Sequence, residues 1–533
     1  MDDPVACEVI RIHSEAKSRR SVWDSRFQEV VTYCRPNATS FTGSRTPGVE
    51  NSQQIYDATA VDALEEFSSG LHSYLTNPTD RWFGLCPIDP RLDFDPEVKK
   101  WCDDVSDTIY HYYQSSSSGH VNAMSEGFLD VGSFGTAVVH QYWKDGLKFK
   151  TFALADCWIK ENSERQVDTV IRSINWTARQ VMQEFGELPK ALAEKVKGKP
   201  DTPLTVIHLV LPRSDAPWLE HVKPAKAYGS VWVCVDTKET LRKSGYDYFP
   251  YHCPRWVKMS TEEYGRSPAL KAMPDIKMLN RLEFQLLKAV SKATDPPMIV
   301  PSDAFLLPLK TSPGAVNYKE PGSDPIEKIE VSSSFQWPEK KAEEKRTSIR
   351  KMFYNDFLRM EKENVEMTAY EVQDRREEKL RLLAPMLGRQ EMELLGPMLT
   401  LSYLLLAKHA IIPPAPPQLK GGMKIEYQSP AARAQTGMRA FSMDRYIQRL
   451  IPAAQINPAV MEIVNWEAYS RELATAMGTT PKILYSPSEM AKRNAAKQQQ
   501  EQVAQAATMA EPASKAIKNL SDAGLSPASL LGG

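Results

Sequence analysis

The chain has 533 residues, 42% hydrophobic and 25% charged, which suits two to four domains or one multi-part subunit and excludes wholesale disorder away from the ends. Lys and Arg total 66 against 67 Asp and Glu, a net charge of -1. That balance excludes a sticky, non-specific nucleic-acid binder, whose affinity comes from neutralised phosphates, while leaving DNA open as a passing partner.

In chain order, residues 5–35 read as a helix with Trp23, Phe27, Val30, Val31 and Cys34 on one side. A polar loop (37–53) leads to a second helix in which Ala60, Leu64, Phe67, Leu71 and Tyr74 recur at steps of four and three. Thr59 is its expected N-cap and Asn77-Pro78 its stop. Helices over 99–116 and 121–131 follow, split by "SSSSGH". From Gly135 the period changes. "TAVVHQYW", "LKFKTFAL", "CWIKEN" and "VDTVIRSINW" are short, β-branched and aromatic, and read as antiparallel strands. "TARQVMQEFG" returns to helix, with Gly186 as C-cap, before three more strand-like pieces, "LTVIHLVLPR", "AYGSVWVCVD" and "YHCPRWVKM".

Beyond "YGRSP" the chain turns helical. Pro274 reads as a first helical position with Asp275 in the first turn, and Ile276, Leu279, Leu282, Leu286 and Val290 form the apolar face. Asp295-Pro296-Pro297 must end this helix. Residues 295–337 are dense in Pro and Gly with strand pieces "MIVP" and "IEKIEVS". A second helix is expected over 338–361, with Ile349, Phe353 and Phe357 apolar. Thr368 to Glu371 is a capping box that opens a long helix to about 410, interrupted at Pro385 and Pro397 and stopped by "IIPPAPPQ". "KIEYQSP" reads as a strand, Ser429-Pro430 as a helix start, and helices fit to about 450, over 459–477 and over 487–508 before an Ala/Gln-rich tail.

A search for chemistry returns little. Walker A, H-E-x-x-H, zinc-spaced Cys/His, G-x-S-x-G and EF-hand patterns are all missing from the sequence. No catalytic, cofactor-binding or metal-ligating residue is therefore expected. Asp57 and Asp62 read as turn and first-turn residues, and His111, His120 and His140 as structural histidines. Trp82-Phe83 could stack a base but reads better as a core or interface anchor. The basic run Lys340, Lys341, Lys345, Arg346, Arg350 and Lys351 is the best DNA-facing candidate; the other reading is a solvated helix face with Glu343 and Glu344 as partners. Seven scattered cysteines, odd in number and without C-x-x-C, read as reduced thiols. "MDDPVACEVI" does not look like a signal peptide, and "LTLSYLLLA" (399–407) is too short to span a bilayer, so a soluble protein made in the cytoplasm without membrane insertion is expected.

Several stretches together resemble the portal, or head-to-tail connector, proteins of short-tailed bacteriophages. They are "IYDATAVDALEEFSSGLHSYLTNPTDRWF" (55–83), "GSFGTAVVHQYW" (132–143), "HLVLPR" (208–213), "EEYGRSPALKAMPDIKMLN" (262–280), "DPPMIVP" (295–301), "EMTAYEVQDRREE" (366–378) and "IEYQSPAARAQ" (425–435). Their order and spread make the likeness specific. It implies an α+β, mainly helical, elongated subunit assembled into a ring, usually a dodecamer, at one capsid vertex of the virion. Laid on this chain, the wing takes 1–265, the stem 266–294 and 338–361, the clip 295–337, the channel loop and long wing helix 362–425, and the crown and tail 426–533. Double-stranded DNA would pass through the ring, with Lys340, Lys341, Lys345, Arg346, Lys362, Glu363 and Asn364 as channel candidates. The implied partners are terminase during packaging, tail adaptor or nozzle proteins afterwards, and major capsid and scaffolding proteins. Against this stand a tail or capsid-shell component that never surrounds DNA and, more weakly, a nuclease or packaging enzyme. The helix–small β tip–helix element at 270–361 favours the portal reading, because it projects from a body rather than enclosing a pocket.

Overall fold

The computed structural model describes residues 3–43, 54–89, 91–92, 95–186, 198–219, 226–295, 336–358, 383–419 and 422–427, with short pieces at 189, 192–194, 298–299 and 327–328 and scattered residues between 443 and 493. It divides into two units, one of 1–88 with 101–429 and the other of 89–100 with 430–533. Apart from residues 96–100 at the start of one helix, which belong to the second unit, the elements described below lie in the first.

Helix α1 (Pro4–Tyr33) starts where Asp3 accepts a hydrogen bond from the Val5 amide, with Pro4 pre-set for the first turn. Helix α2 (Thr59–Leu75) begins one residue earlier than expected. Thr59 is inside the helix, and Asp57 Oδ1 takes its amide at 2.8 Å, so the aspartate does the work assigned to the threonine. Helices α3 (Pro96–Gln114) and α4 (His120–Phe134) follow, with strand β1 (Phe83–Pro87) before them.

The expected strands form two antiparallel sheets. One has three strands, β2 (Val138–Trp143), β3 (Leu147–Phe152) and β9 (Tyr251–His252), in the order β3-β2-β9. The other has five strands in the order β4-β5-β6-β7-β8: β4 (Cys157–Glu161), β5 (Val167–Thr177), β6 (Pro203–Pro212), β7 (Tyr228–Cys234) and β8 (Glu239–Tyr246). Helix α5 (Ala178–Phe185) opens with a capping box from Thr177 and Gln180. Both faces of the five-stranded sheet are covered. Ile207, Leu209 and Leu211 pack with Val5, Ala6, Val9 and Ala16 of α1, while Leu204 and Val206 point the other way, toward Ala178 and Val181 of α5. Two-sided burial explains why β6 reads as an unbroken apolar run.

Strand β8 was not expected from the sequence. It is an edge strand, "ETLRKSGY", whose residues are all exposed or half-buried, so no alternation marks it. Strand β1 was missed as well. It pairs antiparallel with β12 (Met423–Tyr427), Phe83 facing Tyr427, an association no local signal announces.

Helix α6 (Pro268–Thr294) starts earlier than the Pro274 signature suggests. Ser267 caps it, its Oγ accepting from the Leu270 amide at 3.0 Å, and Pro268 takes the first position. Pro274 lies inside the helix on its exposed side, where the lost donor is tolerated. Val290 of the expected apolar face is 46% exposed. Strands β10 (Met298–Ile299) and β11 (Glu327–Lys328) pair antiparallel. Helix α7 (Gln336–Met352) ends sooner than 361: Tyr354 has φ of 60° and a short helix α8 (Asn355–Leu358) follows. Residues 383–390 form helix α9, which runs through a π-turn (Glu391–Leu395) into α10 (Gly396–Lys408). The capping box at 368–371 and the C-terminal helix starts lie outside the described residues.

Two arginines are buried in this unit at 2% side-chain exposure or less, each with a full set of acceptors. Arg20 of α1 donates to Asp24 and to the carbonyls of Leu154, Ala155 and Cys157, and stacks over Trp158. Arg255 donates to Glu393 of the π-turn at 2.8 and 3.1 Å, to Glu161 and to the carbonyls of Glu263 and Arg165. The first ties α1 to the sheet, the second ties the sheet to α9 and α10.

The chain crosses itself closely at Gly135 and Gly265. A Cβ at Gly135, whose φ is +77°, would sit 2.5 Å from the Gly265 carbonyl oxygen, and a Cβ at Gly265 would overlap the Gly135 carbonyl. Flanking bonds lock the contact: the Gly265 amide to Thr136 Oγ1 at 2.8 Å, and Ser267 Oγ to the Ser133 carbonyl at 2.7 Å. Gly265→Ala should destabilise the subunit by about 2–3 kcal/mol, the range for overpacking against backbone, whereas alanine at the open Gly388 should cost less than about 0.5 kcal/mol. Denaturant unfolding of both variants checks this.

His120, His140 and His252 are fully buried, and burial, the largest cause in each, pulls them down to about 3. A depressed histidine is neutral in the fold, while the unfolded chain takes up protons below its ordinary value of 6.5. Stability is therefore complete above pH 6.5 and falls as pH drops, by about 1.4 kcal/mol per unit for each histidine. Thermal melts should show the midpoint declining between pH 6.5 and 5. A flat profile there would show that these rings protonate in place.

Candidate functional site

The α6–α7 hairpin carries most of the charged candidates, and its residues explain its geometry. Lys345 Nζ meets Asp275 at 2.8 Å, and Ser348 Oγ donates to the same carboxylate at 2.9 Å. Arg346 spans three carboxylates: Asp57 at 2.9 Å, Glu283 at 2.6 Å and Glu343 at 3.2 Å. Asp275 faces 345–348, while farther along α6 Leu286, Leu287 and Val290 line one groove with Glu339 and Ala342, so the two helices run antiparallel. Ala342, Ile349 and Phe353 are buried on the packed face.

The same residues brace the hairpin on the body. Asp57 precedes α2, so Arg346 ties α7 to that helix's first turn. Asn280 of α6 accepts from the Tyr56 amide at 2.7 Å and donates to the Gln54 carbonyl, while Tyr56 packs on Phe284 with ring centroids 4.8 Å apart. Lys277 pairs with Glu29 of α1 at 2.6 Å, and Asn355 donates to Glu66 of α2 at 2.7 Å.

Electrostatics follow from this packing. Burial pushes the Asp57 carboxyl up, but hydrogen bonds from Thr59 and Arg346 outweigh it and hold the group below its ordinary value of 3.8. The Lys345 hydrogen bond is the main reason that Asp275 is also held down, with Ser348 adding to it against a smaller effect of burial. Both carboxylates stay charged in the neutral range. Among the described residues there is no group of three or more His, Cys, Asp or Glu placed to hold a metal, and no helix is long and apolar enough to cross a membrane.

A family model described as bacteriophage head to tail connecting protein matches residues 6–484. The chain belongs to that family. The chain is similar along nearly its whole length to the probable portal protein of Bordetella phage BPP-1, 28% identical over 509 residues that cover 93% of this chain and 91% of that protein. The portal protein of Salmonella phage epsilon15 is 25% identical over 536 residues, 97% of this chain and 96% of the relative. Among solved structures, the neck of an empty gene transfer agent particle with C6 symmetry is 10% identical, covers 79% of this chain and 90% of its own, and has a TM-score of 0.37. The resemblance read from the sequence motifs is thus upheld at the level of the family.

The residues singled out from the sequence as channel candidates fall into three groups. Lys345 and Arg346 are held by carboxylates of their own subunit, as the solvated-face reading had it for Glu343, with Asp57, Asp275 and Glu283 as further partners that only the fold supplies. Lys341 pairs with Glu344 at 2.8 Å on the open side, where Lys340 and Lys351 are exposed. Lys362, Glu363 and Asn364 lie outside the described residues. Asp57 and Asn280 were not singled out for this role. Their sequence signal, an Asx residue before a helix and a polar residue on an apolar face, has many commoner causes.

Asp57 is only 8% exposed, so Arg346→Ala strands a charge and should cost about 2 kcal/mol. Lys341→Ala, which breaks an exposed pair, should cost less than about 1 kcal/mol. Since Asp57 and Asp275 have lowered values, their contribution is present above about pH 4 and lost as pH falls below it. Unfolding measured at pH 7 and again near pH 3 should show the gap between wild type and Arg346→Ala closing in acid.

Proposed function

We propose that copies of this chain close into a portal ring at one vertex of a phage capsid, and that double-stranded DNA enters and leaves the head through it. One observation carries the reading: a head-to-tail connecting family match and near-full-length likeness to two phage proteins named as portal proteins. The subunit is a structural conduit, not an enzyme. The α6–α7 hairpin is its stem, the segment between the two helices its clip, residues 1–265 with the long helix its wing, and the C-terminal part its crown. Head-to-tail contact between identical subunits closes a ring when the rotation closes, and twelve copies are the expected number.

The charge distribution suits passage. Many lysine–phosphate contacts would act as a brake on moving DNA, and a net charge of -1 avoids that. Lys345 and Arg346 brace the stem from within, so the DNA-facing role falls to Lys362, Glu363 and Asn364 as the narrowest channel lining, while the outward Lys340 and Lys341 are left for contacts on the stem's flank. The clip is the docking surface for terminase during packaging and for tail adaptor proteins afterwards, and the wing and crown meet capsid and scaffolding proteins. A tail or shell component that never surrounds DNA is the rival.

Electron micrographs of the purified chain separate the two. The portal reading expects closed rings with an axial hole and cyclic symmetry. Uniform monomers, sheets or closed shells without a hole would overturn it.

A further inference from the structure

We infer that the flanks of the α6–α7 hairpin form a knob and a groove, and that Trp337 of one subunit seats in the groove of the next. The proposal rests on the ring reading and names the residues that join its copies.

The groove has a volume of about 260 Å³ and is lined by Glu283, Leu286, Leu287 and Val290 of α6 and Glu339, Ala342 and Arg346 of α7. Its apolar walls are open: Leu287 is 54% and Val290 46% exposed. Arg346 closes one end and is already neutralised by Asp57 and Glu283, so Glu339 gives the rim a negative character.

The knob lies opposite. At about 100° per residue, the nine residues from Trp337 to Arg346 put the tryptophan half a turn away, on the far side of α7. Trp337 is 72% exposed, the most exposed large apolar side chain among the described residues. Lys340 and Lys341 stand one turn on from it, on the same side. Lys341 is paired with Glu344, so an indole beside the exposed Lys340 ammonium group on one flank, and an apolar slot with an acidic rim on the other, are complementary in shape and charge. Because the two features sit on opposite flanks of one hairpin, they cannot satisfy each other within a chain. They can do so between copies related by rotation, which is the heterologous contact that closes rings. A tryptophan filling a desolvated pocket inside a polar rim is the usual form of an interface hot spot.

The test uses the full chain, mass photometry and negative-stain micrographs. Trp337→Ala should raise the concentration needed for half assembly by about tenfold or more. Glu339→Lys and Lys340→Glu should each weaken assembly, and the chain carrying both should regain it. A chain with Trp337→Cys and Leu287→Cys, oxidised well above the concentration at which Trp337→Ala assembles, should give a ladder of covalent multimers that neither single variant gives. Rings that assemble normally in Trp337→Ala, with no ladder, would overturn the knob and groove while sparing the portal reading. A cross-link confined within one chain would show that the groove is filled by its own subunit and would also overturn it. Failure of the wild-type chain to form rings would overturn both.

Discussion

Gly135 and Gly265 touch backbone to backbone, and the direction in which α6 leaves the body depends on that contact. Gly135 ends α4 in the left-handed region and turns the chain into β2; Gly265 lies three residues before the first residue of α6. Any side chain at either position would push α6 away from α4. Thr136 and Ser267 then satisfy the polar groups exposed by so close a crossing, one taking the Gly265 amide and the other donating to Ser133. The orientation of α6 is set by two hydrogen atoms in place of methyl groups.

Three guanidinium groups extend this constraint over the subunit. Arg20 holds α1 to the turn before β4, Arg255 joins the sheets to the π-turn, and Arg346 fastens α7 to the start of α2. In each case the planar fork meets several acceptors from distant segments, which a lysine could not reproduce. The π-turn has a physical role in this scheme. It lies where Glu393 reaches both Arg255 and Arg389 and where the Tyr427 hydroxyl meets the Glu391 carbonyl at 3.3 Å. In all three cases the charged groups fix geometry between distant segments.

The histidines tell the same story from the other side. A cluster of buried imidazoles in a sheet-rich body is a common sign of catalysis. Here His208 stacks on Trp232 and shares hydrogen bonds with Ser230 and Tyr251, and His120 stacks on Tyr113. Both rings stack on aromatic neighbours within the core, and His208 is further held by its two hydrogen bonds.

The sequence by itself determined the parts that depend on neighbours in the chain. The 3.6-residue stripe of α2, the β-branched runs of β2 to β7, the proline stop after α6 and the two-helix hairpin were all legible, because period and capping are local chemistry. So was the family, through the order of its motifs. The start of α6 at Ser267-Pro268 was also local, a capping serine followed by proline where Pro274 follows only Met273, and Pro274 was misread for it. The tertiary structure alone decided the rest. It paired β1 with β12 across the length of the chain, made an edge strand of the polar β8, and turned Lys345 and Arg346 inward to carboxylates tens or hundreds of residues away. Those outcomes rest on which distant groups meet, and an ion pair, a strand partner or a glycine crossing leaves no periodic trace in either of the segments it joins.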